Sequence, residues 1–487
     1  MCTKIKYFNK SLKFEYFRIF NCNQYSYCYR LFIIIQLIII FNNITPHLYL
    51  IFIISLQLTQ DVSDSQNHSN YIKQPKYSVA FITKLYRGGG LERVTQLLST
   101  YLSQQNIGVF LITGEPTEHD FQVPDNVRRL VAFAENDGIR EDTPSEENLR
   151  RMQAKNELLL QYHREHGIQL FVCQEHWAHG NYETINFLKD HGIKVIAIEH
   201  NFFLFPFYDD REYLFKISQR TYPRLDALVC LNRVDVQLWR KVGVQNAIYI
   251  PNLLTFDPDS ITAANLSSNN IIMLGRFQKA QKQQHLAIQM MRRVIDQYPD
   301  AQLQIVGDSD PFYFQECQQY MLKYKIYYNV HFIPFQTYIK QYYENAALMV
   351  VTSSIEGFSM VLVEAKAFGI PTVAFNLKYA ELWQDGITTV DRNDVDSLAD
   401  NVVSLLKDRD LRLRRGKEAK QSLDRFDVEK TVQKWVALIT AVIDGDEDGI
   451  QQMKESEEKV EEEFALNVLK EELGFIQREG YDFGFRV

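Results

Sequence analysis

The chain has 487 residues, 46% of them hydrophobic and 23% charged, with 21 Gly and 13 Pro, and its net charge is −8. That balance excludes collagen-like, coiled-coil and wholly disordered chains, and at about 150 residues per domain the length implies roughly three units. Residues 444–487 hold 14 acidic and 5 basic side chains, so the body before them sums to +1 and lacks the basic excess that nucleic-acid binding requires.

The first segment is unlike the rest. Residues 1–60 contain no Gly, Ala, Val or Asp, while Ile, Asn, Lys, Phe and Tyr fill 34 of the 60 positions. The missing residues all use codons beginning with G, as expected of AT-rich DNA translated from a start codon set too far upstream. A membrane anchor is the rival reading, because the apolar runs 31–41 and 48–58 follow a basic segment. Each run makes about 16 Å of helix against a hydrocarbon core of about 30 Å, so only the two together would span. Joined, they would enclose Asn42, Asn43 and Pro46. Residues 61–76 read as a polar linker that completes a leader over 1–76.

From residue 77 the pattern becomes α/β. Residues 77–83 (YSVAFIT) predict a buried strand, Gly88, Gly89 and Gly90 a loop, and residues 91–104 a helix with one apolar face. Further strands are predicted at 109–113, 170–173, 194–198, 227–231 and 247–250, alternating with helical stretches. After Pro251-Asn252 and a polar run, a second series follows at 271–274, 302–306, 329–333, 348–352 and 372–375. Alternation of this kind implies parallel sheets with right-handed crossovers. Two doubly wound, Rossmann-like domains facing a central cleft are therefore expected over 77–252 and 253–443, with an acidic, solvated helical tail over 444–487 carrying Phe464, Val468 and Leu469.

Residues 352–371 (TSSIEGFSMVLVEAKAFGIP) read as a strand end, a glycine turn and a helix beginning near Ser359. The free amides of that helix start suit a phosphate. Glu356 lies just before the helix and Glu364 about a turn and a half along it, so both can face one cleft. Residues 274–286 (LGRFQKAQKQQHL) place Arg276 and Lys282, with Lys279 as a competitor, on a strand-to-helix loop. In RGGGLERV, residues 87–94, Arg93 stands where a dinucleotide-binding fingerprint needs its third glycine.

These strings resemble the retaining nucleotide-sugar glycosyltransferases of family 4, which have the GT-B fold. The resemblance covers residues 77–444 and includes the hinge-like stretch 224–252. It implies that Glu356 contacts the donor sugar near the reacting carbon, that His200 at the end of IAIEHN bonds that sugar, and that Glu364 binds the ribose. It assigns the diphosphate to Arg276 and Lys282, with Gly357, Phe358 and Ser359 beside it, and makes Gly88 to Gly90 the loop near donor phosphate and acceptor. Pro334 departs from the Gly common in the family before the base pocket, which leaves base preference open.

The implied activity is metal-independent transfer of a hexosyl unit from a nucleoside diphosphate sugar, taken to be a UDP-sugar, to a hydroxyl acceptor. No cofactor is expected, the donor being a substrate. The acceptor would be a saccharide or a lipid-linked or protein-linked group in cell-surface polysaccharide or glycoconjugate synthesis. A cytoplasmic protein is expected, with peripheral membrane association left open. The alternative is a non-catalytic partner subunit of the same fold; a GT-B phosphorylase would need a lysine-bound pyridoxal group and a much longer chain. Six cysteines, three of them in the first 28 residues, make no disulfide framework. Cys173, His176 and His179 have metal-like spacing but lack a fourth partner, so a place in the acceptor cleft is preferred.

Overall fold

The computed structural model describes residues 75–133, 146–174, 179–208, 211–308, 310–383, 385–457 and 460–479. Residues 1–74 of the leader, and His176, lie outside these.

Two parallel sheets organise the chain. The first comprises β1 (Tyr77–Ile82), β2 (Ile107–Gly114), β3 (Val127–Phe133), β4 (Leu170–Cys173), β5 (Lys194–Glu199), β6 (Ala227–Cys230) and β7 (Ala247–Tyr249), in the order β3-β2-β1-β4-β5-β6-β7. Helix α1 (Gly90–Ser103) connects β1 to β2. The second sheet comprises β8 (Asn270–Leu274), β9 (Gln302–Val306), β10 (Val330–Ile333), β11 (Leu348–Val351), β12 (Thr372–Phe375) and β13 (Ile387–Val390), in the order β10-β9-β8-β11-β12-β13.

Both faces of the central strands are covered, which explains their unbroken apolar runs. In β1, Val79 and Phe81 join one cluster with Val94 and Leu98, while Ala80 and Ile82 point the other way into a cluster with Phe171 and Ile185. That second cluster continues through Ile272, Leu274 and Ala365, so the two sheets share apolar packing. The strands absent from the sequence expectation, β3 and β13, are both sheet edges. Their sequences, VRRLVAF and ITTV, carry the polar positions that an edge strand tolerates.

In each sheet the chain leaves one central strand in opposite directions: β1 pairs with β2 and β4, and β8 with β9 and β11. Such a reversal opens a crevice at the carboxyl ends of the strands. The loops after β1, β4, β5, β8 and β11 carry Gly88 to Gly90, Gln174, His200, Arg276 with Lys282, and Glu356. Helix α2 (Met360–Ala367) follows the last of these.

The chain then returns to the first sheet. Helix α3 (Val428–Asp444), assigned to the second domain by chain order, puts Val432, Trp435, Leu438, Ile439 and Val442 into the cluster built on Val79 and Phe81. Helices α4 (Glu447–Ser456) and α5 (Glu462–Arg478) follow. The expectation of a solvated tail is corrected here. Phe464 is exposed, but Ala465, Val468, Leu469, Leu473 and Ile476 form a buried stripe at helical spacing. Two of the tail's acids are buried against arginines, Glu457 on Arg240 at 3.1 Å and Glu472 on Arg392 at 2.7 Å. Among the described residues no helix is long and apolar enough to cross a membrane.

Candidate active site

The turn after β11 is held from three directions. Thr352, Ser353 and Ser354 follow β11 and are buried, so each hydroxyl must find a partner inside the protein. Thr352 Oγ1 donates to the Lys282 carbonyl at 2.8 Å and Ser354 Oγ to the Ala280 carbonyl at 2.6 Å, while Gln281 Nε2 donates to the Ile355 carbonyl at 3.1 Å. The loop after β8 is thereby stitched to the turn that carries Glu356.

Glu356 is 5% exposed. Its Oε1 accepts from Ser353 Oγ at 2.6 Å and from Lys282 Nζ, and its amide donates to Tyr379 Oη at 3.0 Å. The two lysines of the loop have different partners. Lys279 is 60% exposed and bound to Glu316 at 2.9 Å, whereas Lys282 is 18% exposed and reaches the acid. Arg276 lies on the same loop with an exposed side chain, and its carbonyl accepts from Gln284 Nε2 at 2.9 Å.

Glu364, on α2, has a different neighbourhood. Its carboxylate accepts from Tyr343 Oη at 2.6 Å, and Tyr343 stacks on Phe368 with centroids 5.3 Å apart. Burial raises the Glu364 carboxyl above its ordinary range, against the opposing pull of the Tyr343 hydroxyl, Thr255 and the Arg93 charge. Arg93, on α1 beside the first sheet, donates to Gln96 Oε1 at 2.7 Å and lies over the Phe121 ring at 4.2 Å.

The first sheet meets this turn at Gly357. A Cβ there would lie 2.2 Å from the His200 carbonyl oxygen and 2.9 Å from Asn201 Cα, so only glycine permits the approach. The His200 ring nitrogen Nε2 pairs with Gln174 Oε1 at 2.6 Å, and Phe202 stacks on Tyr379 at 3.7 Å between centroids. Gly88 has φ +88°, a left-handed conformation that suits glycine, and a Cβ on it would meet Phe335 at 3.5 Å. Gly90 lies against Met360 Cγ at the start of α2. Phe358 packs edge-on to Phe426, and Ser359 occupies the N-cap position of α2 without capping it. Among the described residues Ser359 Oγ and Gln174 Nε2 are buried without a hydrogen-bond partner. Unpaired buried polar atoms are costly, and both are suited to a polar ligand.

Sequence reasoning did not find Gln174, Tyr343, Tyr379 or Arg392. Gln174 had a usable signal as the first polar residue beyond the apolar run of β4; the others lie in loops and a short helix with no pattern of their own. Cys173 is buried and its thiol is pushed up to about 12, so it is protonated at neutral pH. No cluster of three His, Cys, Asp or Glu side chains suited to a metal occurs among the described residues.

The family described as Glycosyltransferase Family 4 matches residues 88–254, and that described as Glycosyl transferases group 1 matches residues 259–422. The chain belongs to the family 4 glycosyltransferases. It is 26% identical over 221 residues to an uncharacterized glycosyltransferase of Haemophilus influenzae, a match covering 44% of this chain and 61% of that protein. It is 28% identical over 189 residues to N-acetyl-alpha-D-glucosaminyl L-malate synthase of Bacillus anthracis, covering 38% of this chain and 48% of that enzyme. The matched stretches thus span about half to three fifths of these relatives. The family 4 chain also superposes on a TarM variant of S. aureus, in complex with Fondaparinux, alpha-GlcNAc-glycerol and UDP, with a TM-score of 0.62 at 12% identity, covering 74% of this chain and 99% of TarM. That likeness identifies the fold as GT-B.

One buried cation of this family 4 chain lies outside the cleft chemistry. Lys366 on α2 donates to the Asp385 carbonyl and to Ser422 Oγ, each at 2.8 Å, and burial lowers it from 10.5 to about 7. Between those two values the unfolded chain binds the extra proton, so this group makes stability rise with pH across that window. Comparing thermal midpoints of the parent and Lys366→Met from about pH 6 to about pH 10 should show the parent gaining on the variant by roughly 2 °C or more per pH unit above neutrality. A constant difference across the range would refute the assignment.

Proposed function

We propose that the chain is a retaining hexosyltransferase that moves a sugar from a nucleoside diphosphate donor, a UDP-sugar, to a hydroxyl acceptor. The observation that carries this reading is the Lys282–Glu356 pair set against the His200 loop at Gly357, an acid and a cation held together where the two sheets meet. In this reading Glu356 and His200 position the sugar, and Glu364 takes the ribose hydroxyls. Arg276, Lys282 and the amides at the start of α2, by Ser359, stabilise the departing diphosphate. The acceptor hydroxyl approaches from the face the diphosphate leaves. Its C–O bond forms as the old one breaks, and the departing oxygen takes the proton, so configuration is retained.

The UDP and alpha-GlcNAc-glycerol in the TarM complex support a UDP-sugar donor and a hydroxyl acceptor. The acceptor class we favour is a saccharide or glycoconjugate destined for the cell surface. Incubation with a panel of UDP-, GDP- and ADP-sugars and a pool of saccharide acceptors should release UDP from one UDP-sugar in preference to the others. Absence of turnover with every donor, in a chain that still binds UDP, would favour a non-catalytic subunit. Because two side-chain cations face the diphosphate in this reading, activity is expected to survive a chelator. A strict requirement for added Mn²⁺ or Mg²⁺ would remove Arg276 and Lys282 from that role.

A further inference from the structure

The C-terminal helix reaches the acid-bearing turn through a buried cluster drawn from three distant parts of the chain. Arg392 follows β13, Tyr208 follows β5, and Glu472 lies on α5. Arg392 Nη1 and Nη2 donate to the two Glu472 carboxylate oxygens at 2.7 and 2.9 Å. Tyr208 Oη accepts from Arg392 at 3.0 Å and donates to Glu472 at 3.1 Å, and the Phe475 ring lies 3.8 Å from the guanidinium. Side-chain exposures of 11% for Arg392 and 4% for Glu472 place the pair inside the protein. A forked salt bridge of this kind fixes the plane of the guanidinium as well as its position.

The same Nη1 also donates to the Ser354 carbonyl at 3.2 Å. That carbonyl belongs to the turn whose next side chains are Ile355 and Glu356. The Ser354 hydroxyl and the Ile355 carbonyl are tied to the Ala280-Gln281 segment, the Ser354 amide donates to the Gln281 carbonyl at 2.8 Å and the Glu356 amide to Tyr379, and the Arg392 contact adds a restraint from the far side of the chain. It is the contact that bears directly on the orientation of the Ser354-Ile355 peptide at its Ser354 carbonyl.

We propose that Arg392 and Glu472 are positioning residues for the Ser353–Glu356 turn, which makes the C-terminal helix a working part of the site as well as a packing element. The effect on catalysis rests on the reading of Glu356 given above; the effect on the turn does not. A buried ion pair gives little stability over an apolar pair of similar volume, so the pair is weak evidence of a stabilising role.

The test uses the full chain with Glu472→Gln, the double variant Arg392→Met with Glu472→Met, and Leu469→Ala as a packing control on the same helix. Amide hydrogen exchange of the peptide covering residues 352–361 is measured alongside kcat and KM for the UDP-sugar turned over fastest, well below each thermal midpoint. Glu472→Gln and the double variant should both speed exchange in that peptide and lower kcat by about tenfold, with donor KM within about twofold. Leu469→Ala should leave both readouts at the parent level even where its midpoint falls further. Recovery of parent exchange and kcat in the double variant, or equal losses in Leu469→Ala, would overturn the proposal, since either makes the tail a matter of stability alone. If no nucleotide sugar is turned over, exchange decides for or against the positioning role and the failure belongs to the proposed function. If Glu356→Gln keeps the parent kcat while Glu472→Gln loses exchange protection, the role given to Glu356 falls and the restraint on the turn stands.

Discussion

Glu356→Gln is expected to fold normally and to lose about 10²-fold or more in kcat, with donor KM little changed. The amide oxygen of glutamine can still accept from Ser353 and Lys282, so the turn keeps its hydrogen bonds while the negative charge disappears. A charge facing the reacting carbon matters most when positive charge develops there, which is why the loss falls on turnover. Glu364→Gln should behave differently. Its Tyr343 contact also survives the change, but the ribose would lose charge-assisted hydrogen bonds worth about 1.5–3 kcal/mol in total, expressed mainly as a higher donor KM. If both acids served only to stabilise the start of α2, both variants would lower the thermal midpoint and lose activity in parallel. Measuring kcat, KM and midpoint for the two separates these outcomes, and folded variants with parent kinetics would take both residues out of the site.

Gly357→Ala should cost as much by an entirely different route. The added methyl would lie 2.2 Å from the His200 oxygen and 2.7 Å from its carbonyl carbon, and backbone atoms offer no flexible end to move aside. The two sheets must therefore separate locally, which pulls the Phe202–Tyr379 stack apart and with it the hydroxyl that accepts from the Glu356 amide. Neither sheet loses its own core, so the variant should fold. It should bind UDP within a few fold of the parent, because Arg276, Lys282, Ser359 and Glu364, to which the nucleotide is assigned, are carried by the loops and helix of the second sheet. Turnover should drop by about 10²-fold or more, since misplacement of a reacting group by about 1 Å has effects of that size. Parent-level turnover in a folded Gly357→Ala chain would mean that the close contact at His200 is not the arrangement in which transfer occurs. The corresponding change at Gly90, where the nearest atom is the Met360 side chain at 3.4 Å, should be far milder.

The central strands, the parallel α/β arrangement and the two acids eight positions apart were legible before any folding was known, because each is a local signal. A strand buried on both faces must be apolar throughout, and a turn that ends at a helix start writes its glycine and its acid next to one another. Edge strands β3 and β13 escaped because Arg128, Arg129, Thr388 and Thr389 interrupt their apolar runs, as an edge tolerates, whereas the edges β7 and β10 were expected at 247–250 and 329–333. Whatever depends on distant segments meeting was set by packing. It gave Lys279 to Glu316 and Lys282 to Glu356, and it set Arg93 over the Phe121 ring. Tyr379 carries no motif, and its role arises only where the loop after β12 crosses Phe202. The tail misled for a physical reason: its acidic excess predicts solvation, but composition does not record which face of a helix a charge occupies. Val468, Leu469, Leu473 and Ile476 make the buried stripe, and Glu472 joins them because Arg392, eighty residues earlier, meets its charge inside the protein.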